Sequence, residues 1–271
     1  MTETPVAFLG ARKVRELLES HGVRLTKSLG QNFVIDPNTI RKVVELAHVQ
    51  PGDKILEIGA GAGSLTIGLA AAGAEVTALE VDERLLPILE ETTRALSVEV
   101  VHQDAMTYDF SEVSSASVVA NLPYNIAATL VLKILEEAPA IERLTVMAQR
   151  EVGERLAADP GSKTYGLSTV LAAYWSTARL AGTVSRNAFF PVPNVDSALV
   201  ELTRHDRFAA VDYPRYKEIA KAAFGQRRKM LRSSLAPLVL PPGCFEAADI
   251  DPTARAEELS AESFARLTDN C

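Results

Sequence analysis

The sequence predicts an α/β fold, a mainly parallel sheet flanked by helices, followed by a small all-helical domain. Three observations predict it. Short apolar runs recur at 54–58, 75–80, 98–102, 116–120 and 143–148, with helical patterns between several of them, notably 63–72, 82–95 and 126–137. Strands alternating with helices imply right-handed crossovers and a parallel sheet. A glycine-rich turn, Gly59-Ala60-Gly61-Ala62-Gly63, joins the first run to the first of those helices. Beyond Arg204 the β-like alternation stops and helical spacing takes over.

Each element has a local reason. Residues 11–21 form an amphipathic pattern stopped by Gly22, whereas Thr26 to Val34 has no clean period and reads as an ordered loop. Asp36-Pro37 supplies a cap and a proline at the first helical position, starting a helix that runs to about Ala47. The stretch 197–203 adds an antiparallel edge strand, and 168–181 reads equally as strand or helix. The boundary falls at Arg204-His205. A catalytic domain spans 1–204, including an N-terminal helix and loop over 1–35. A helical domain spans 205–271, with segments at 215–224, 226–236 and 260–268 broken by Pro237 and Pro241-Pro242-Gly243.

Composition narrows the function. The 271 residues are 47% hydrophobic and 23% charged, as in an ordinary water-soluble protein, and no apolar run approaches the roughly 20 residues of a membrane-spanning helix. Met1-Thr2-Glu3-Thr4-Pro5 has no basic start followed by an apolar stretch, so the expected location is the cytoplasm. Cys244 and Cys271 lie far apart, and neither they nor the scattered His21, His48, His102 and His205 have metal-ligand spacing. Neither a disulfide nor a metal is expected. The net charge of −7 argues against a polyanionic partner, yet seven basic residues against one acid lie between Arg215 and Arg232. In so acidic a chain that concentration points to a phosphate-binding surface rather than a merely solvated helix face.

The chemistry-bearing residues fall at strand ends. Glycines at 59, 61 and 63 permit a tight turn and close backbone approach to a ligand, but Ser64 stands where a dinucleotide fingerprint has its third glycine. Glu57, just before the turn, suits a sulfonium cofactor rather than a pyrophosphate. Glu80 ends the next strand, where a carboxylate accepts from both ribose hydroxyls; Asp82 competes for that role but is better placed as a helix cap. Asp104 ends the following strand and is either an acceptor for an adenine amine or a turn-forming aspartate. Asn121-Leu122-Pro123-Tyr124 ends the next. There the Asn121 amide and the Leu122 carbonyl can accept from an exocyclic amine, while Tyr124 stacks on the base that carries it. These four strand ends share one carboxyl edge of the sheet, where such folds bind ligands. Together they suggest methyl transfer to the amino group of an adenine.

With these residues in hand, the chain resembles a known family. Gly30-Gln31-Asn32-Phe33-Val34, Glu57 to Gly63, Gln103-Asp104-Ala105, Asn121 to Ile126 and Phe190-Pro191-Val192-Pro193-Asn194-Val195-Asp196-Ser197 look like the bacterial small-subunit (16S) ribosomal RNA adenine N6,N6-dimethyltransferases, the kasugamycin-resistance enzymes. The likeness covers roughly residues 12–236. It implies a Rossmann-like, S-adenosylmethionine-dependent methyltransferase sheet with a small helical C-terminal domain that binds RNA. It implies that Asn32, the Val34 backbone, Gly59, Glu80, Asp104 and Asn121 bind the cofactor. It further implies that Asn121, Leu122, Tyr124 and Phe189 act on the flipped adenine, Phe189 being preferred over Phe190 by the match. The implied partner is 16S rRNA in immature 30S subunits, met by a monomer. Val34 stands where the family usually has Leu, Ala60 and Ala62 replace bulkier residues, and Asn194 replaces a common Lys. Competing readings are a large-subunit rRNA adenine methyltransferase of the macrolide-resistance type, a DNA adenine methyltransferase, and a non-catalytic ribosome-assembly or RNA-binding factor. Ser64 and the lack of a catalytic His or Tyr-Lys arrangement disfavour an NAD-dependent oxidoreductase.

Overall fold

Five parallel strands form the centre of the protein in a computed structural model that describes residues 8–25, 31–113 and 117–271. They are β2 (Lys54–Ile58), β3 (Glu75–Glu80), β4 (Val98–His102), β5 (Ser117–Asn121) and β6 (Arg143–Gln149). Two more strands, β7 (Ser176–Val184) and β9 (Ser197–Arg204), complete a sheet in the order β4-β3-β2-β5-β6-β9-β7, with β9 antiparallel to β6. The inner parallel strands β2, β5 and β6 bury most of their length, as expected where helices cover both faces, whereas the edge strand β4 has no buried residue. Ile55 to Ile58 of β2 and Val118 to Ala120 of β5 are buried, each large aliphatic side chain contributing about 1.5–3 kcal/mol. The order reverses between β2 and β5: β3 and β4 lie to one side and β6 to the other. That reversal opens a crevice at the carboxyl ends of β2 and β5, the usual ligand position in such sheets.

The helices follow from local chemistry. In α1 (Ala11–Ser20) the buried Val14, Leu17 and Leu18 recur at helical spacing. Asp36 caps α2 (Pro37–Leu46), its side chain accepting from the Thr39 amide at 2.9 Å. Next come α3 (Ser64–Ala71), α4 (Leu86–Thr93), entered through a 3-10 turn at Glu83–Leu85, and α5 (Ala127–Glu137). A two-residue ladder pairs β1 (Phe33–Val34) with β8 (Phe189–Phe190), antiparallel. Of the loop expected over Thr26–Val34, residues 26–30 lie outside the described residues and Phe33–Val34 form β1; the N-terminal Met1–Pro5 and the first residue of the strand expected at 116–120 also lie outside them.

The chain divides into two compact units. One holds the described residues up to Gly153 together with Arg179–Thr203; the other holds Glu154–Ala178 and Arg204–Cys271. The 168–181 stretch is both helix and strand: α7 (Leu167–Trp175) gives way directly to β7. The segment 154–178, from within α6 (Arg150–Leu156) to the first residues of β7, groups with the C-terminal residues. Its Tyr165 and Tyr174 hydroxyls donate to the carbonyls of Leu259 and Val211, and Tyr216 donates to the Val170 carbonyl. The second unit also contains α8 (Tyr213–Gly225), α9 (Leu231–Ser234), α10 (Cys244–Ala247) and α11 (Ala261–Asn270).

Two expectations are corrected here. The helix expected over 226–236 is instead a turn at Gln226–Arg228, a β-bridge from Met230 to Arg255 and the short α9. Leaving α8, Gln226 adopts φ −134° and ψ 62°, which ends the helical hydrogen bonding. Cys244 and Cys271 form a disulfide with Cα atoms 5.4 Å apart. Their 27-residue separation hid the pairing, which arises because α11 packs beside α10.

Candidate active site

The turn after β2 is shaped by the positive φ of its glycines. Gly61 has φ +61°, and a Cβ there would lie 2.8 Å from the Phe33 ring; at Gly63, φ +89°, it would lie 2.7 Å from the Thr92 hydroxyl. Only glycine lets backbone and aromatic ring meet this closely. Leu79 of β3 holds the turn by accepting from the amides of Gly59 and Ala60 at 2.9 and 3.2 Å. From the end of β3, Glu80 reaches across: its carboxylate accepts from the Gly61 amide at 2.7 Å and from the Asp82 amide at 2.9 Å. Only 6% exposed, Glu80 has a pKa raised chiefly by desolvation, opposed by these backbone hydrogen bonds.

A cavity lies over this turn. Its wall includes Asn32, Val34, Glu57, Gly59, Glu80, Asn121, Leu122 and Tyr124. Seven of the nine residues expected from the sequence thus meet in one place: Asn32, Val34, Gly59, Glu80, Asn121, Leu122 and Tyr124. Asn121 ends β5, and its Nδ2 donates to the Asn32 carbonyl at 2.8 Å, which leaves its Oδ1 as an acceptor. The Leu122 amide donates to the Met147 carbonyl at 2.9 Å, fixing the peptide that follows Asn121. Tyr124 is half-buried, and its hydroxyl shares a 2.9 Å hydrogen bond with Ser197, so the ring has a set orientation.

The remaining two stand apart from the wall. Asp104 is exposed, and its carboxylate accepts from the Met106 amide at 2.8 Å. Phe189 is fully buried, packed in the core with Val34, Leu199 and Met147. Neighbouring strand residues face opposite sides, so half-buried Phe190 points the other way, with the Arg15 guanidinium 4.8 Å from its ring centroid. Phe33 also lines the cavity. The sequence gives no signal for that, because its placement depends on the contact with Gly61.

The wall selects a ligand class. Among the described residues it carries two carboxylates and neither lysine nor arginine. No cationic side chain of that wall would neutralise a pyrophosphate. Glu57 is 1% exposed, one carboxylate oxygen has no hydrogen-bond partner, and its pKa is pushed up to about 8. Desolvation is the main cause; a hydrogen bond with Thr66 opposes it and the charge of Glu80 adds to it. An unpartnered buried carboxylate favours a cation or a hydrogen-bond donor. A cationic ligand that also carries hydrogen-bond donors meets both demands.

Comparison with known proteins agrees. The family model for ribosomal RNA adenine dimethylase matches residues 22–271. The chain is 46% identical to the ribosomal RNA small subunit methyltransferase A of Leifsonia xyli, covering 96% of this chain and 97% of that protein. It is 44% identical to the protein of the same name from Streptomyces coelicolor, covering 98% of each. A Plasmodium falciparum dimethyladenosine transferase shares the fold with TM-score 0.76 and 23% identity, over 86% of this chain and 94% of that one. The 23S rRNA methyltransferase ErmE follows with TM-score 0.69 and 29% identity, over 88% and 98%. Sheet order, glycine turn and strand-end acceptors define a Rossmann-like methyltransferase. This chain belongs to the ribosomal RNA adenine dimethylase family.

Proposed function

We propose that this protein transfers methyl groups from S-adenosylmethionine to N6 of two adjacent adenosines in the 3′-terminal hairpin of 16S rRNA, giving dimethyladenosines. It acts as a monomer on immature 30S subunits in the cytoplasm. The observation that carries the reading is the Asn121 amide, pinned through Nδ2 to Asn32 and so presenting an acceptor beside the cavity.

Glu80 takes the ribose hydroxyls; Asn32, the Val34 backbone, Gly59 and Asn121 complete the cofactor site. Asp104, one strand farther out than Glu80, is assigned the cofactor's adenine amine. When bound, S-adenosylmethionine supplies an electrophilic methyl group on a sulfonium centre. The chain's task is to make a poor nucleophile attack it. An adenine amine is weak because its lone pair is delocalised into the ring. By accepting the amine hydrogens, the Asn121 Oδ1 and the Leu122 carbonyl favour the pyramidal nitrogen and stabilise the positive charge that develops on it, without a general base. Tyr124 stacks on the flipped base, and Phe189 joins it by leaving the core position it holds here. The basic run from Arg215 to Arg232 holds RNA phosphates.

A second reading has a specific observation behind it, the 29% identity with ErmE across most of both chains. One experiment separates the two. Purified protein and labelled cofactor are offered immature small subunits and naked large-subunit rRNA, and the products are digested and analysed by mass spectrometry. N6,N6-dimethyladenosine in the small-subunit RNA alone is expected. Transfer to the large-subunit RNA alone refutes the proposal.

A further inference from the structure

We propose that Gln31 and Asp82 form a positioning relay that determines which end of the Asn121 amide faces the substrate amine. The inference rests on the reading that Asn121 accepts from that amine.

Asp82 sits at the centre, 5% exposed. One of its oxygens takes the Gln31 Nε2 and an Arg84 guanidinium nitrogen, both at 2.6 Å. The other takes the Arg84 Nε at 2.7 Å and the Arg84 amide at 3.1 Å. Arg84 also donates to the Arg24 carbonyl at 3.1 Å, and the Asp82 amide donates to Glu80 at 2.9 Å. The residue after Gln31 is Asn32, whose carbonyl accepts from Asn121 at 2.8 Å. A continuous chain therefore runs from Glu80 through Asp82, Gln31 and Asn32 to Asn121, joining positions 51 and 89 residues apart in sequence.

The two ends of a primary amide are nearly alike in shape and opposite in polarity. An anchor that accepts from Nδ2 selects the orientation with Oδ1 towards the cavity; without it, the flipped amide would set N–H against N–H and oppose the reaction. That anchor is a backbone carbonyl, so the segment bearing it must be held still. Gln31 holds it by a short hydrogen bond to a carboxylate, and Arg84 keeps the Asp82 pKa below the usual range, so the bond stays charge-assisted at neutral pH.

The test uses Gln31→Met, which keeps length and shape but removes the donor. Single-turnover transfer to small-subunit RNA, at saturating cofactor, should fall about ten-fold, the factor carried by one lost charge-assisted hydrogen bond. S-adenosylhomocysteine affinity, measured by calorimetry, should fall by a smaller factor than the rate, because the Glu80 contacts remain while those of the segment bearing Asn32 and Val34 loosen. In an Asn121→Ala background the same change should add less than about two-fold, since the residue it acts through is gone. Gln31→Glu, which sets a carboxylate against Asp82, should reproduce the pattern. In ligand-free protein, NMR should find the Asn121 side-chain protons exchanging faster with water in Gln31→Met than in wild type. A wild-type rate in Gln31→Met, or the full loss again in the Asn121→Ala background, overturns the relay. If wild-type protein does not methylate the RNA, the functional reading fails instead, and the exchange measurement alone decides the relay.

Discussion

Replacing Glu80 by alanine tests the cofactor site and the turn beneath it together. The carboxylate accepts from the amides of Gly61 and Asp82 at 2.7 and 2.9 Å, so truncation leaves two buried N–H groups without partners. A hydrogen bond to a charged group is worth about 1.5–3 kcal/mol. Set against that loss, Glu80 is 6% exposed and desolvation already raises its pKa, so removing the charge also relieves a penalty. A net destabilisation of about 1–3 kcal/mol is expected, within the roughly 5–15 kcal/mol margin of a folded protein. Melting should fall by about 2–12 °C on the usual 2–4 °C per kcal/mol for large domains. Cofactor binding should suffer more in proportion, because two ribose hydroxyls lose their acceptor. Calorimetric titration with S-adenosylmethionine, well below the melting temperature, should give at least a ten-fold higher Kd. A folded variant that binds within three-fold of wild type would refute the assignment of the ribose to Glu80.

Other expectations follow from the same geometry. Asn121→Ala should lower single-turnover methyl transfer by at least about a hundred-fold, the scale of losing one oriented acceptor in a closed site, while gel-shift affinity for the RNA changes little; comparable losses in both would show a general structural role. In the basic run, Arg215 bonds Glu218 and the Cys271 carbonyl, and Arg227 bonds the Tyr165 carbonyl, whereas Arg228 and Lys229 are exposed. Arg228→Ala with Lys229→Ala should therefore keep the fold and flatten the salt dependence of RNA binding by about 0.7–0.9 log units per lost phosphate contact; an unchanged slope means a merely solvated surface. Folding raises the Glu57 pKa from 4.5 to about 8, so between those values the folded state binds more protons than the unfolded chain. Stability from neutral Glu57 is intact below pH 4.5 and is lost as pH rises through 8. Denaturant titrations should show Glu57→Gln gaining on wild type over that window by up to about 1.4 kcal/mol per pH unit, and parallel pH profiles would contradict it.

Much of the site was legible because its residues sit at chain-local signals. Apolar runs place the strands, a parallel sheet brings their carboxyl ends to one edge, and so Gly59, Glu80 and Asn121 had to meet once the strand order put β3, β2 and β5 side by side. The cap at Asp36 and the turn glycines are equally local, since the backbone there needs particular residue types. Only the tertiary structure could decide what depends on distant partners. Phe189 and Phe190 are the same residue type in adjacent positions, and which one enters the core is set by pairing with Val34 and Phe33 across the chain. Cys244 and Cys271 have no diagnostic spacing; packing of α11 beside α10 joins them. Residues 154–178 look like a continuation of the α/β pattern, yet the tyrosines at 165 and 174 find their acceptors among residues beyond 204. Sequence periodicity reports which face of an element is apolar, whereas the partner that covers it is chosen by the packing of the whole chain.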